Sequence, residues 1–525
     1  MQLGKFVLAV FVLQECLSSW ATADRPNFII MLVDDASYGD LGILGQPAKE
    51  TPYLDKMAAD GLLFTDFYTA NPLCSPSRAA LLTGRLPIRN GFYTTNGHSR
   101  NAYTPQEIVG GIPDEEVLIP ELLSSIGYQN MIIGKWHLGH QEQYLPLKHG
   151  FHEWFGSPNC HPGPYDNVHR PNIPVFRDNA MIGRYYEDFQ IDLKTRTSNF
   201  TKRLTEEAVA FIERQAERRQ PFFLYWAPDA THTPVYSSRT MRGRSLRGAY
   251  GDAVRELDQG VGIILDALRR KGIQNNTFVF FTSDNGAATC WGIEGGSNGP
   301  FLCGKQTTFE GGVREPAIAW WPGFIQPGRV TRRPATVMDL LPTMAELARL
   351  SLPPELVLDG TSLVRDILLN DYQRHDEDIR PNLPVFYYRG NELMAVRKGL
   401  YKAHFWCWTD SWQDFRAGLD FCPGAMVQGV TTHEPRNYTA QPVLFHLGRD
   451  PGEKFSILTE SAEYASNMAS ILKVYHEHKS TLVPGKPQLN WCDDAAMHWS
   501  PPGCEQLGRC LQPPPSRPYL CDWRY

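Results

Sequence analysis

Residues 27–35 read NFIIMLVDD, an apolar run that ends abruptly at two adjacent aspartates. A run without alternating polar residues is typical of a strand that is buried on both faces of a parallel sheet. Three later segments have the same character, at 131–133, 222–226 and 278–281. Helix-like segments lie between these runs, at 54–60, 118–125, 205–214 and 252–270. Strands that alternate with helices predict an α/β fold with a large, mainly parallel sheet flanked by helices.

The alternation of strands and helices ends near residue 370, and the rest of the chain has a different character. Short aromatic-rich segments from residue 384 onward predict a smaller antiparallel sheet, followed by a helix around 464–479. The Pro-rich tail has little apolar periodicity, so two disulfides among its four cysteines are expected to hold it: Cys492, Cys504, Cys510 and Cys521. The predicted units are a leader at 1–23, an α/β domain at 24–380, an antiparallel domain at 381–485 and a disulfide-linked tail at 486–525.

The N-terminus predicts a secretory signal peptide. Lys5 precedes an apolar stretch at 6–13, and Ala21-Thr22-Ala23 supplies a small-x-small cleavage site. The apolar stretch is shorter than the ~20 residues that span a bilayer, and no later stretch approaches that length. We therefore expect a soluble secretory-pathway protein that begins near Asp24. Three glycosylation sequons agree with this route, at Asn199, Asn275 and Asn437.

The charge balance argues against a nucleic-acid partner. The 525 residues carry 51 Lys and Arg against 57 Asp and Glu, a net charge of −6, and contain no long basic run. A hydrophobic content of 42% is sufficient for a sizeable buried core.

Polar residues follow two of the predicted buried strands. Asp34 and Asp35 follow the first, and Asp284 and Asn285 follow the run at 278–281. Ligands of open α/β sheets bind at the carboxyl ends of the strands, and a set of oxygen donors suits a hard divalent cation. The chain contains neither HExxH nor paired CxxC, which disfavours zinc. The alternative is that Asp34-Asp35 caps a helix and that Asp-Asn-Gly forms a turn.

Two further strings point to a specific chemistry. Residues 74–84 read CSPSRAALLTG, in which Arg78 lies one helical turn after Cys74 and can reach back to it. Residues 127–137 read GYQNMIIGKWH, in which Lys135 and His137 are two residues apart and share one side in extended geometry. Both strings resemble signatures of the sulfatase family, C-x-P-S-R-x-x-x-L-T-G and G-Y-x(5)-G-K-x-H. The resemblance implies an α/β fold like that of alkaline phosphatase.

The same resemblance implies a set of site residues. Cys74 would be oxidised during synthesis, by a formylglycine-generating enzyme, to an aldehyde whose hydrate attacks the sulfate ester. One Ca²⁺ per chain would be bound by residue 74 together with Asp34, Asp35, Asp284 and Asn285. Arg78 and Lys135 would hold the hydrated aldehyde and the sulfate, and His137 would accept a proton when sulfate leaves. His232 with Lys305 would protonate the departing sugar oxygen, and Tyr103 is a further candidate for substrate contact.

The likeness covers essentially the whole mature chain and extends to one branch of the family. It implies a lysosomal, homodimeric exosulfatase that removes 6-sulfate from N-acetylgalactosamine and galactose in chondroitin 6-sulfate and keratan sulfate. It also implies three disulfides: Cys303–Cys422, Cys492–Cys521 and Cys504–Cys510. Cys160 is left over, and Cys290 and Cys407 either pair with each other or stay free.

Other functions fit parts of the sequence. A sister sulfatase with 4-sulfate or aryl sulfate specificity would carry the same signatures. A phosphatase or phosphodiesterase of the same fold would use an encoded Ser or Thr and commonly zinc. A sulfated-glycan-binding protein without catalysis is the alternative from another class, and it conflicts with the presence of every expected catalytic residue.

Overall fold

The structure, a computed structural model, describes residues 25–369, 383–424 and 426–523. The predicted signal peptide and the predicted boundary at 380/381 lie outside these residues. The strands of the large sheet are β1 Asn27–Val33, β2 Leu62–Tyr68, β3 Gln129–Lys135, β4 Glu153–Ser157, β5 Pro174–Arg177, β6 Ala180–Arg184, β7 Phe222–Ala227, β8 Thr277–Ser283, β9 Arg314–Trp320, β10 Arg329–Thr331 and β11 Ala335–Thr336. The later strands are β12 Pro384–Arg389, β13 Glu392–Lys398, β14 Tyr401–His404, β15 Trp406–Cys407, β16 Arg436–Asn437, β17 Val443–His446, β18 Trp491–Cys492 and β19 Tyr519–Leu520.

The α-helices lie between and around these strands. They are α1 Pro52–Ala59, α2 Cys74–Thr83, α3 Pro87–Asn90, α4 Ile119–Ser124, α5 Phe200–Arg218, α6 Gly248–Arg270, α7 Glu310–Val313, α8 Leu340–Leu347, α9 Val364–Leu368, α10 Trp412–Arg416, α11 Ala462–Thr481 and α12 Cys504–Leu507.

The large sheet has the order β10-β2-β9-β8-β1-β7-β3-β4-β5-β6, with β11 paired to β2. The central strands β8, β1, β7, β3 and β4 are parallel to their neighbours in this group. β9 lies antiparallel to both β8 and β2, and β5 and β6 form an antiparallel edge. The predicted mainly parallel sheet is therefore present, with antiparallel insertions that the sequence reading did not predict.

The first strand explains why residues 27–33 are apolar without alternation. Its side chains are buried on both faces of the sheet and divide between two hydrophobic cores. One core takes Phe28, Ile30 and Leu32. The other takes Ile29, Met31 and Val33. Since burial of one such side chain stabilises a fold by about 1.5–3 kcal/mol, a polar residue on either face would be costly.

A close backbone contact fixes the spacing of β4, β3 and β7. Gly134 in β3 has φ 105°, and a Cβ there would lie 2.1 Å from the carbonyl oxygen of Ala227 at the end of β7. A Cβ at Gly156 in β4 would lie 1.9 Å from the carbonyl oxygen of Gly134. Glycine is required at both positions because the neighbouring backbones occupy the space of a side chain.

The smaller antiparallel sheet has the order β12-β13-β14-β17, and α11 packs on β13 and β14. A buried group of charged side chains joins this sheet to the large one, and we call it the inter-sheet ionic cluster. Its acids and bases are Asp66, Glu310, Glu453, Arg314, Arg397 and Lys402, with His404 at its side.

Disulfides hold the tail and one internal loop. The structure contains the three pairs that the resemblance implies: Cys303–Cys422, Cys492–Cys521 and Cys504–Cys510. Cys290 and Cys407 are both free thiols, so of the two alternatives the structure has them unpaired. Among the described residues, none of the helices combines the length and the apolar character that crossing a membrane requires.

Candidate active site

The predicted site residues meet at the carboxyl edge of the parallel strands. Asp34 and Asp35 follow β1, Lys135 ends β3, and Asp284 and Asn285 follow β8. His232 lies in the loop after β7, so four neighbouring strands each contribute side chains. This is the edge at which parallel α/β sheets bind ligands, because the loops there converge.

Cys74 is the first residue of helix α2 and is almost fully buried. Its Sγ lies 3.5 Å from Oδ1 of Asp34 and 3.4 Å from Nζ of Lys305. The free N–H groups at a helix N-terminus and the helix dipole favour negative charge at this point. A nucleophilic oxygen or a sulfate group near residue 74 would therefore be stabilised.

Arg78 lies one turn further along α2 and is completely buried. Its Nε and Nη2 donate to Oδ2 of Asp284 at 3.0 and 2.7 Å, and Nη1 donates to the carbonyl oxygen of Lys135 at 3.2 Å. From this position Arg78 could reach back to Cys74, but its guanidinium pairs with Asp284. The guanidinium thus ties α2 to the ends of β3 and β8.

Two lysines neutralise the remaining aspartates. Nζ of Lys135 lies 2.6 Å from Oδ2 of Asp34. Nζ of Lys305 lies 2.6 and 2.8 Å from the two carboxylate oxygens of Asp35. With Arg78 and Asp284, the site contains three acids and three bases in direct contact.

Backbone strain marks two of these positions. Asp35 has φ 58° and His137 has φ 63°, a left-handed conformation that costs about 1–3 kcal/mol and clusters at active sites. The turn at Asp35 lets two adjacent aspartates both face the site, although side chains alternate along an extended strand. The extended geometry predicted for Lys135 to His137 is wrong, because the chain turns at His137.

The donor set fits a calcium ion. Ligand atoms of Asp34, Asp35, Asp284 and residue 74 all lie within 4.8 Å of one another. Oδ1 of Asn285 is buried beside them without a hydrogen-bond partner, while its Nδ2 donates to Asp35. An unpaired buried carbonyl oxygen next to three carboxylates is the hard oxygen environment that Ca²⁺ prefers.

Burial and charge give Asp284 an unusual pKa. Burial raises the pKa of this carboxyl, the negative charges of Asp34 and Asp35 raise it further, and Arg78 and Lys135 oppose them. The net pKa is about 6, above the usual 3.8. The three neighbouring carboxylates therefore repel one another even though three bases contact them, and a bound metal cation would reduce this repulsion.

His232 faces the opening of the site, and its side chain is 14% exposed. Its Nδ1 donates to the carbonyl oxygen of Thr233 at 2.7 Å, and its Nε2 lies 3.8 Å from Oδ2 of Asp35. Burial and Lys305 oppose protonation, but the negative charges of Cys160, Asp35 and Asp34 raise the pKa of His232 to about 9.

A buried polar group supports the loop that carries His232, and the sequence reading did not identify it. Nδ1 of His161 lies 2.8 Å from Oδ2 of Asp229, and the hydroxyls of Tyr185 and Tyr236 donate to the same carboxylate. The carbonyl oxygen of Asp229 accepts the backbone N–H of His232 at 3.0 Å. Only the proximity of Asp229 to His232 in the sequence could have suggested this arrangement.

His137 is buried on the other side of the site. Burial lowers the pKa of His137 to about 4, and the positive charges of Lys135 and Arg78 act in the same direction against the charge of Cys160. Its ring nitrogens lie 3.6 and 3.7 Å from Sγ of Cys160. The two histidines therefore have opposite properties: His232 retains its proton and His137 remains neutral over the physiological range.

The tail forms part of the wall around the opening. Tyr103 is 36% exposed, and its ring lies 6.1 Å from His137 and 5.7 Å from Trp523. Nε1 of Trp523 donates to the carbonyl oxygen of Leu489 at 3.0 Å, which holds the tail in place. Tyr103 therefore lies between His137 and the tail, and its predicted contact with substrate stays a prediction.

Comparison with known proteins agrees with this geometry. The family profile "Sulfatase" matches residues 26–350, and "C-terminal region of aryl-sulfatase" matches residues 380–512. The chain belongs to the sulfatase family. The expectations of a sulfatase and of a sulfatase fold are thereby confirmed.

Relatives of this sulfatase are similar over nearly its full length. The N-acetylgalactosamine-6-sulfatase of Canis lupus familiaris is 61% identical over 499 residues, which cover 95% of this chain and 94% of the relative. The Homo sapiens enzyme of the same name is 60% identical over 501 residues, with the same shares. Among solved structures, the PsFucS1 sulfatase from Pseudoalteromonas sp. has a TM-score of 0.73 at 27% identity, covering 91% of this chain and 94% of that one.

Proposed function

We propose that this sulfatase hydrolyses 6-sulfate esters of N-acetylgalactosamine and galactose in chondroitin 6-sulfate and keratan sulfate. The observation that carries the proposal is the meeting of residue 74 with three acids, three bases and two histidines at one sheet edge. The specificity for 6-sulfate is supported by identities of 60–61% to relatives named N-acetylgalactosamine-6-sulfatase.

The nucleophile of this proposal is made from Cys74. A formylglycine-generating enzyme would convert the thiol to an aldehyde during synthesis; the hydrated aldehyde supplies one hydroxyl to attack sulfur and a second whose deprotonation expels sulfate. The N-terminus of α2 and the ammonium groups of Lys135 and Lys305 favour negative charge at residue 74, against the opposing effect of burial. Arg78 on α2 binds both Asp284 and the carbonyl oxygen of Lys135, so the helix that carries residue 74 is held against the ends of β3 and β8.

One Ca²⁺ per chain is proposed at the oxygen cluster. Its ligands would be residue 74 with Asp34, Asp35, Asp284 and Asn285. When bound, such an ion neutralises the carboxylates, lowers the pKa of an attacking hydroxyl and screens the sulfate charge. Lys305, which lies between Asp35 and residue 74, would turn its ammonium group toward the substrate sulfate.

The two histidines divide the proton transfers. His232 is protonated and lies at the opening, so it is placed to donate a proton from Nε2 to the sugar oxygen as the S–O bond breaks. His137 is neutral and buried, so it is placed to accept the proton from the second hydroxyl at residue 74. With these pKa values both histidines have the required protonation states between about pH 4 and about pH 9, so activity is expected to fall below and above this range.

The proposed compartment is the lysosome, reached through the secretory pathway. Three disulfides and the predicted signal peptide support this route. Asn199, Asn275 and Asn437 of the sequons are all exposed, as glycan attachment requires. We also propose a homodimer and the predicted domain boundaries, with the sulfated glycosaminoglycan as the substrate partner.

Two measurements test the proposal on the secreted protein. Mass spectrometry of the Cys74 peptide is expected to find formylglycine; an unmodified thiol in native material would favour a glycan-binding protein without catalysis. Assays of matched 6-sulfated and 4-sulfated N-acetylgalactosamine saccharides are expected to give turnover of the 6-sulfated compound. Preference for the 4-sulfated compound would assign the enzyme to a sister specificity.

A further inference from the structure

A free cysteine, Cys160, lies between the two catalytic histidines. Its Sγ is 3.6 Å from Nε2 of His137 and 3.9 Å from Nε2 of His232. The residue is 8% exposed, so the sulfur is shielded from bulk solvent but borders the substrate opening. The catalytic steps proposed above give this thiol no part.

Cys160 is the shared member of two groups of metal-ligating atoms. Its sulfur, a carboxylate oxygen of Asp34 and a ring nitrogen of His232 all lie within 4.8 Å of one another. The same holds for Cys160 with Cys74 and His137. Sulfur and imidazole are ligands that Zn²⁺ prefers and that Ca²⁺ does not, so this donor set differs in kind from the oxygen cluster beside it.

The spacing and orientation of the donors fit a tetrahedral ion. With Zn–S near 2.3 Å and Zn–N near 2.05 Å, a tetrahedral site places sulfur and nitrogen about 3.6 Å apart. The observed distances from Cys160 to the two histidines are 3.6 and 3.9 Å. His232 also donates its Nδ1 proton to the carbonyl oxygen of Thr233, so Nε2 is the nitrogen that can bind a metal once its own proton is released. Zinc-binding histidines are commonly oriented by this second hydrogen bond.

We propose that Cys160, His232 and Asp34 form an inhibitory site for a thiophilic divalent cation such as Zn²⁺, with His137 able to complete it by rotation of its ring. Binding forms metal–sulfur and metal–nitrogen bonds and releases to solvent the Nε2 proton of His232, together with the proton of the Cys160 thiol where the sulfur carries one. The inhibition rests on the proposed function, because that nitrogen is the one assigned to protonate the leaving sugar. The binding itself does not depend on that assignment.

The test uses full-length calcium-loaded enzyme in which mass spectrometry shows formylglycine at position 74, so that Cys74 contributes no thiol. Zn²⁺ is titrated into the wild type, Cys160→Ser and Cys290→Ser, each normalised to its own activity without zinc. Cys290 is a matched control because it is also a free thiol but belongs to neither ligand group. Cys160→Ser should raise the half-inhibiting zinc concentration at least about 10-fold, and Cys290→Ser should leave it unchanged. Mg²⁺ added in place of Zn²⁺ should not inhibit the wild type.

Direct binding separates this site from the proposed activity. Co²⁺ is added as a spectroscopic substitute, and a thiolate-to-cobalt charge-transfer band is expected in the wild type and Cys290→Ser but not in Cys160→Ser. Cys160→Ala, checked by its melting temperature, provides a second variant if the serine variant does not fold. The proposal would be overturned if zinc inhibited the Cys160 variants as strongly as the wild type. It would also be overturned if the wild type bound cobalt without the thiolate-to-cobalt band. If the wild-type protein shows the cobalt band but hydrolyses no sulfate ester, the proposed function is refuted and the metal site is retained.

Discussion

The catalytic edge and the inter-sheet ionic cluster are both buried groups of charged side chains. Each has three acids and three bases, but two histidines neighbour the catalytic edge and one neighbours the inter-sheet cluster. In the inter-sheet cluster, every oxygen of Asp66, Glu310 and Glu453 accepts a hydrogen bond. At the catalytic edge, the three carboxylates crowd together and Oδ1 of Asn285 has no partner.

The pKa values express this difference. At the inter-sheet cluster, burial would raise the pKa of Glu310, but Lys402, Arg314 and Arg397 outweigh it and lower the pKa to about 2. At the catalytic edge, burial and neighbouring aspartates raise the pKa of Asp284 to about 6. Burial alone therefore does not separate a structural ion cluster from a catalytic one; the difference lies in the close approach of three carboxylates to one another and in the unpaired Oδ1 of Asn285.

The largest expected effect is at residue 74. Cys74→Ser should abolish repeated turnover, because a serine sulfate ester has no second hydroxyl through which sulfate can be expelled. The melting temperature should stay close to that of the wild type, since the side chains are similar in size. Sustained multiple turnover by this variant would contradict the proposed nucleophile.

The next effect concerns proton donation at the opening of the site. His232→Ala should lower the rate on the natural substrate by about 10²–10⁴-fold if His232 is the general acid. The loss should be much smaller for an aryl sulfate, whose phenolate leaves without a proton. His476→Ala, an exposed histidine on α11, is the control and should be neutral. A twofold loss on the natural substrate would leave His232 a structural role only.

Removal of one lysine from each region should affect the two ionic groups differently. Lys402→Met leaves Glu310 and Glu453 without their shared cation, and loss of one partner of a buried pair costs about 3–5 kcal/mol. Lys135→Met should lose activity but lower the stability less, because Arg78 and calcium remain beside Asp34. Denaturant unfolding with calcium present measures the free energy of unfolding of both variants. Equal losses in the two variants would contradict the difference between the two regions.

The smallest effect is the response of stability to calcium and pH. Because the folded pKa of Asp284 is near 6, the calcium-free fold loses stability as pH rises from about 4 to 6 and this carboxyl ionises. Calcium binds the ionised form, so it should stabilise the enzyme more at neutral than at acidic pH. At 100 times its Kd, calcium contributes about 2.7 kcal/mol.

Melting temperatures in calcium and in chelator, at about pH 5 and about pH 7.5, measure this difference. Asp284→Asn, which cannot ionise, serves as the control and should remove the pH dependence of the calcium effect. A calcium shift that is larger at acidic pH would contradict the pKa assigned to Asp284.

The sequence was informative where local patterns determine the structure. The apolar run before Asp34 and Asp35 predicted both a buried central strand and its oxygen donors, because such a strand needs no long-range information to be recognised. The antiparallel strand β9 was missed, since its apolar pattern does not reveal its direction relative to β8. Signatures placed Arg78 and Lys135 in the site through the family resemblance, not through spacing.

Contacts between distant residues account for what the sequence reading did not predict. Arg78 pairs with Asp284, 206 residues away, and Cys160 meets His232, 72 residues away. His161 and Asp229 are 68 residues apart and belong to no recognised motif. Such pairs can be recognised only when the order of the strands in the sheet is known. A single sequence does not contain that order.

The backbone contact at Gly134 between β3 and β7 constrains the geometry of the catalytic edge. Lys135 and His137 extend from one side of that contact, and the loop to His232 extends from the other. A single methyl group at Gly134 would force the two strands apart and move His232 away from Lys135 and His137. The distance between His232 and the pair Lys135 and His137 therefore depends on two backbones in direct contact. None of the atoms at that contact is assigned a part in the chemistry.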